Sequence, residues 1–96
     1  MIYPRNPAAD QARRNRRLLL AAFGTPIGQK ALEHLEQRFE THLPVFQGKP
    51  GCYDPLDAMR RDAHREVFLV IRSQLELARV EAKQELEQDN EQQQEQ

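Results

Sequence analysis

Between Pro26 and about Thr41, the apolar residues Ile27, Ala31, Leu32, Leu35 and Phe39 recur at steps of three and four, with Glu33, Glu36, Gln37 and Glu40 on the other side. That spacing keeps one face of an α-helix apolar, so the stretch predicts an amphipathic helix. Ala8 to Phe23 predicts an earlier helix with uneven apolar content. Leu18, Leu19, Leu20, Ala22 and Phe23 crowd its C-terminal half, while Arg13, Arg14, Arg16 and Arg17 surround its N-terminal half. Only the later turns can therefore be buried all round. Gly24 ends this helix, and Thr25-Pro26 starts the next. The Thr hydroxyl can accept a hydrogen bond from an orphan N–H, and Pro is pre-set for the first helical position.

Asp54-Pro55-Leu56-Asp57 repeats the start signal, with an acid where the helix dipole favours it. Leu56, Met59, Ala63, Val67, Val70, Ile71, Leu75 and Ala78 then form one stripe, widened by Phe68 and Leu69. This predicts the longest helix. Past Ala78 the apolar residues thin to Val80, Ala82 and Leu86, and the Glu81–Glu85 pair repels at helical spacing, so this end should project and fray. The stretch from His42 to Tyr53 holds two prolines and two glycines and predicts a loop, pinned onto the helices by Leu43, Val45, Phe46 and Tyr53.

The expected architecture is all-α: a three-helix domain with two short helices packed on one long C-terminal helix, and a disordered polar tail. The boundaries are an N-terminal arm over 1–7, a helical domain over 8–86 and a Gln/Glu-rich tail over 87–96 that cannot offset its ordering entropy alone. Leu32, Leu35, Phe39, Val67, Phe68 and Ile71 are the expected core, with Leu75 at core or interface. A domain this small buries only about 60% of its unfolded-chain surface. Leu75, Leu77 and Val80 should also be left in water on the long helix, so self-association is expected.

Charge sharpens this picture. The net charge of the 96-residue chain is −1, yet residues 1–30 carry Arg5, Arg13, Arg14, Arg16, Arg17 and Lys30 against Asp10, which is +5. Residues 76–96 carry Glu76, Glu81, Glu85, Glu87, Asp89, Glu91 and Glu95 against Arg79 and Lys83, which is −5. Such a dipolar chain can place its basic end on nucleic acid or dock head to tail on a copy or partner. Arg13, Arg14, Arg16 and Arg17 are the candidate phosphate or partner contacts, with a solvated face or carboxylate pairing as the simpler reading. No aromatic residue in that stretch offers stacking. Arg60, Arg61, Arg65 and Arg72 are expected to pair with Glu33, Glu36, Glu40, Asp62 and Glu66.

Catalytic and metal chemistry finds no support in the spacing. His34 and His42 lie eight apart across a helix end, Cys52 lies in the loop, and no paired motif supplies four converging ligands. His64 and Glu66 flank Arg65 on a helix, where near neighbours point apart, and no nucleophile or Gly-rich phosphate loop accompanies them. No enzyme activity, metal, cofactor or small-molecule substrate is expected. The single cysteine suits a reducing compartment, and no apolar stretch has the length of a signal peptide or membrane span.

Thr25-Pro26-Ile27-Gly28-Gln29-Lys30-Ala31-Leu32-Glu33-His34-Leu35, followed by the Phe/Pro-containing loop and then Ala58-Met59-Arg60-Arg61-Asp62-Ala63-His64-Arg65-Glu66-Val67-Phe68-Leu69-Val70-Ile71, resembles the Bordetella phage Bbp-nineteen-like family of short podophage proteins. The resemblance covers roughly residues 20–77. It implies a phage or prophage origin, with such genes lying among head and portal genes, and it names no catalytic residue. The family pattern has an acid-Gly pair and then a basic residue, which Asp62-Ala63 and Arg65 only approximate. The first helix and the tail lie outside it.

Two functions are expected on these grounds. The first is a small non-enzymatic phage structural or assembly protein that oligomerises or binds a virion component such as portal or capsid, in the host cytoplasm or incorporated in the virion. The second is a DNA-contacting packaging or regulatory module using the arginine-rich helix. The second helix begins Pro26-Ile27-Gly28-Gln29-Lys30, a poor match to a recognition helix.

Overall fold

A computed structural model of the protein describes residues 6–94, and side chains as far as Gln92. It holds three helices: α1 (Pro7–Phe23), α2 (Pro26–Arg38) and α3 (Pro55–Gln94). The fold is all-α, with the two short helices packed on the long one as the apolar spacing predicts. The molecule is elongated, 67 × 32 × 19 Å, because a 40-residue helix is about 60 Å long.

The helix starts follow from their caps. Asn6 Oδ1 accepts from the N–H groups of Ala8 and Ala9 at 3.1 and 3.3 Å, so Pro7 is the first residue of α1 rather than the last of an arm. The rest of the expected arm, Met1–Arg5, lies outside the described residues. Thr25 Oγ1 accepts from Gly28 N–H at 3.0 Å, and Asp54 Oδ1 accepts from Leu56 N–H at 3.0 Å. Each satisfies a donor that has no partner within its helix.

The ends depart from expectation in two places. α2 stops at Arg38, about a turn before Thr41. There Glu40 takes φ 55°, Thr41 N–H donates to Glu36 O at 3.1 Å and Glu40 N–H donates to Gln37 O at 3.1 Å. This is the Schellman closure, with a Glu in the left-handed position that Gly usually fills. α3, by contrast, does not stop near Leu86. It continues to Gln94, through residues expected to form a disordered tail, because Glu and Gln are good helix formers and no Gly or Pro interrupts them. Glu95 and Gln96 lie outside the described residues.

The core is smaller than expected and displaced in register. Leu32, Phe68 and Leu75 form its buried centre, with Leu19, Leu20, Phe23 and Ile71 packed around them. Ala58 and Ala78 are buried along the same face of α3. Of the expected core, Leu32, Phe68, Ile71 and Leu75 hold these places. Val67 does not: it is 57% exposed on the far side of α3. Leu35 and Phe39 sit at the rim, 37% and 43% exposed. Phe39 still packs edge-on against His64, ring centroids 5.0 Å apart, and against Phe68 at 5.7 Å. Leu75, expected both at core or interface and in water on the long helix, is buried, because the later turns of α1 cover it.

α1 and α2 meet very closely at Gly28, which is buried. A Cβ there would strike the Ala22 carbonyl oxygen and lie 2.8 Å from Phe23 Cα. The loop after α2 is held by a cation as well as by apolar contact. Arg65 donates to Leu43 O at 2.8 Å, Leu43 and Val45 are half-buried, and Phe46 and Tyr53, 60% and 41% exposed, pack on each other at 5.4 Å.

Candidate functional site

α3 is a two-faced helix. Its inner face runs Ala58, Arg61, Arg65, Phe68, Arg72, Leu75 and Ala78, at steps of three and four. Arginines hold three of those positions because their apolar stems can cover the core while the guanidinium groups reach the edge. Arg61 donates to Asp57 at 2.9 Å and to Glu40 at 2.7 Å. Arg72 donates to Glu36, and Arg60 donates to Asp57 at 2.7 Å. Pairing with Glu36 and Glu40 follows the sequence expectation. Asp57 takes a place expected of others, while Arg65 bonds to backbone carbonyls. Hydrogen bonds from Arg61 and from Arg60 hold the Glu40 and Asp57 carboxyls, respectively, below the usual carboxylate range.

The other side of α3 faces water with an apolar stripe of its own. Leu56 is 76% exposed and Met59 68%, followed by Ala63, Val67, Val70, Leu77 and Val80, all exposed. Leu56, Ala63, Val70 and Leu77 are spaced by seven, the repeat that keeps a seam on one side of a helix. At the N-terminal end the stripe runs into an open hollow of about 440 Å³ lined by Val45, Phe46, Pro55, Ala58, Met59 and Asp62. The single stripe expected from sequence is thus two faces, Ile71, Leu75 and Ala78 belonging to the inner one.

The arginine cluster of α1 meets the acidic end of α3. Arg16 Nε donates to Glu81 and Arg17 donates to Glu85. Arg13 Nε lies 3.1 Å from the second Glu81 oxygen, which accepts no aligned hydrogen bond among the described residues. Arg14 bonds to Gln11 at 2.7 Å. The Arg16 hydrogen bond, with the Arg13 and Arg17 charges behind it, holds the Glu81 carboxyl below its ordinary range. Part of the charge of the two ends is therefore paired within one chain, Arg13, Arg16 and Arg17 against Glu81 and Glu85.

Glu81, Glu40 and Asp57 all have folded-state values below their unfolded ones, so their contribution is complete above the ordinary carboxylate range. It is lost as pH falls through the depressed folded values. Thermal melts are expected to be flat from neutral pH down to about pH 5 and to fall steeply below pH 4. A melting temperature unchanged at pH 3 would show that these pairs are screened.

His34 and His42 are exposed, as is Cys52. No group of three or more His, Cys, Asp or Glu side chains among the described residues is placed to share a metal ion. His64 packs on Phe39 while Glu66 points into water. Among the described residues, no helix is long and apolar enough to cross a membrane. No family model matches the chain, and neither a curated protein nor a solved structure does.

Proposed function

We propose that this is a small non-enzymatic structural or assembly protein of a tailed phage, acting by contact through the outer face of α3. Its partner is a second copy of itself or a virion component such as portal or capsid, met in the host cytoplasm and carried into the particle. The observation that supports contact is the exposed stripe from Leu56 to Val80. A small chain gains nothing by holding that much apolar surface in water unless something covers it. The phage assignment rests on the resemblance of residues 25–35 and 58–71 alone. A DNA-contacting role for Arg13, Arg14, Arg16 and Arg17 has less support, since three of the four face α3 carboxylates.

Deleting the gene from the phage or prophage that carries it is expected to lower the yield of complete particles. Re-supplying the chain should restore that yield, whereas a chain carrying Val67→Glu and Val70→Glu should not, although both positions are exposed and tolerate charge in the isolated fold. Particles formed at the parental yield without the gene would overturn the assembly reading.

A further inference from the structure

The outer stripe of α3 is close to a palindrome. From Leu56 to Leu77 it runs Leu56, Met59, Ala63, Val67, Val70 and Leu77, with the half-buried Gln74 in the place that mirrors Met59 and with Val80 lying beyond the symmetric part. Its centre falls between residues 66 and 67. A partner of unrelated sequence has no use for such symmetry, but a second copy related by a two-fold axis does, because each residue then meets the one equally far from the centre. We infer that two copies of this chain pair antiparallel through the outer face of α3, with Leu56 against Leu77 of the second copy and Ala63 against its Val70. This inference rests on the reading of that face as a contact surface and names its occupant.

Size, shape and charge agree. The fractional exposures of Leu56, Met59, Val67, Val70, Leu77 and Val80 amount to roughly 600 Å² of side-chain surface, at the top of the range for the largest patch on a monomer. Two such faces approach the ~1,200 Å² lower bound of a standard interface. Antiparallel pairing also carries Val80 of each copy toward Tyr53 of the other, beside the hollow at Phe46, which adds aromatic surface at both ends. Ala63, Val67 and Val70 flank the axis, where two crossing helices come closest and small side chains are needed. The α1–α2 layer lies on the opposite face of α3 and leaves the stripe clear.

Charge separates the two possible directions. A parallel pair would set the exposed acids Glu85, Glu87, Asp89 and Glu91 of one copy beside the same residues of the other. The antiparallel pair sends these ends apart. Its own cost is the approach of the two Glu66 carboxylates beside the axis, small at so exposed a site.

Cysteine cross-linking reads out both occupant and direction. In the full chain with Cys52→Ser, Ala63→Cys and Val70→Cys are made separately; both positions are exposed, and the helix signal by circular dichroism checks the fold. Under mild oxidation each variant alone is expected to remain a single chain on a denaturing gel, because like positions lie about 10 Å apart along the helices. After the two are mixed and allowed to exchange, a covalent dimer joining 63 to 70 is expected. Disulfides formed by each variant alone would mean a parallel pair and overturn the inference. No covalent dimer from the mixture, with a single-chain mass by sedimentation across micromolar concentrations, would overturn it as well. A monomer whose gene deletion still lowers particle yield removes this inference and leaves the assembly reading. A 63–70 cross-link with unchanged particle yield does the reverse.

Discussion

Truncating Phe68 to Ala is expected to cost about 3–5 kcal/mol, most of the stability a domain of this size has. Phe68 is the largest buried side chain of α3, and it touches both Leu32 from α2 and the ring of Phe39. Little else can close the gap it would leave, since the buried centre consists of Leu32, Phe68 and Leu75. At roughly 4–8 °C per kcal/mol in a domain this small, the melting temperature should fall by about 12–40 °C. The neighbouring substitution Val67→Ala is the control. Val67 lies on the outer face, so in protein dilute enough to be monomeric its loss should cost under about 1 kcal/mol. Comparable losses from the two would mean that α3 is turned about its axis relative to the packing described above.

That pair of residues also shows where sequence reading stops. The starts of α2 and α3 were legible because each is a local event: Thr25-Pro26 and Asp54-Pro55 carry a capping oxygen and a pre-set φ within two residues, a signal that Asn6-Pro7 also carries one residue before the expected start of α1. The end of α2 was not. Its Schellman closure places Glu40 at φ 55°, and nothing in that residue announces a left-handed conformation. Its ion pair with Arg61, 21 positions away, helps hold the side chain in place. Register on α3 was hidden for a related reason. Apolar spacing alone reads as one broad stripe, since Arg61, Arg65 and Arg72 look polar and read only as partners for carboxylates. Their stems in fact line the inner face, and Val67 and Met59 are turned outward.

The outer stripe was partly visible all the same. A surplus of apolar residues on the long helix suggested self-association, although Leu75 was the wrong residue to expect in water and Val67 the right kind of residue on the wrong face. The opposed charges of the two ends were also visible, but not their destination. Whether Arg13, Arg16 and Arg17 meet phosphate or Glu81 and Glu85 depends on α1 running back along α3 to bury Leu19, Leu20 and Phe23. No local pattern encodes a contact across more than sixty residues.

Gly28→Ala is expected to destabilise the fold by about 1–3 kcal/mol, although helix propensity taken alone favours Ala by roughly 1 kcal/mol. The opposing term is steric. The new methyl would meet the Ala22 carbonyl oxygen and sit 2.8 Å from Phe23 Cα, and both are backbone atoms that no rotamer change can move. Relief requires α2 to lift away from α1, which draws Leu32 out from among Leu19, Leu20, Phe23 and Leu75. The Gly28 N–H would lose its 3.0 Å bond to Thr25 in the same movement, opening the cap of α2. Gln29→Ala, at the next and exposed position, meets no such clash, and because Gln is already a good helix former the melting temperature should stay nearly unchanged. A Gly28→Ala protein as stable as the parent would place α1 and α2 farther apart than a bare glycine requires, and the seat of Leu32 would have to be sought elsewhere.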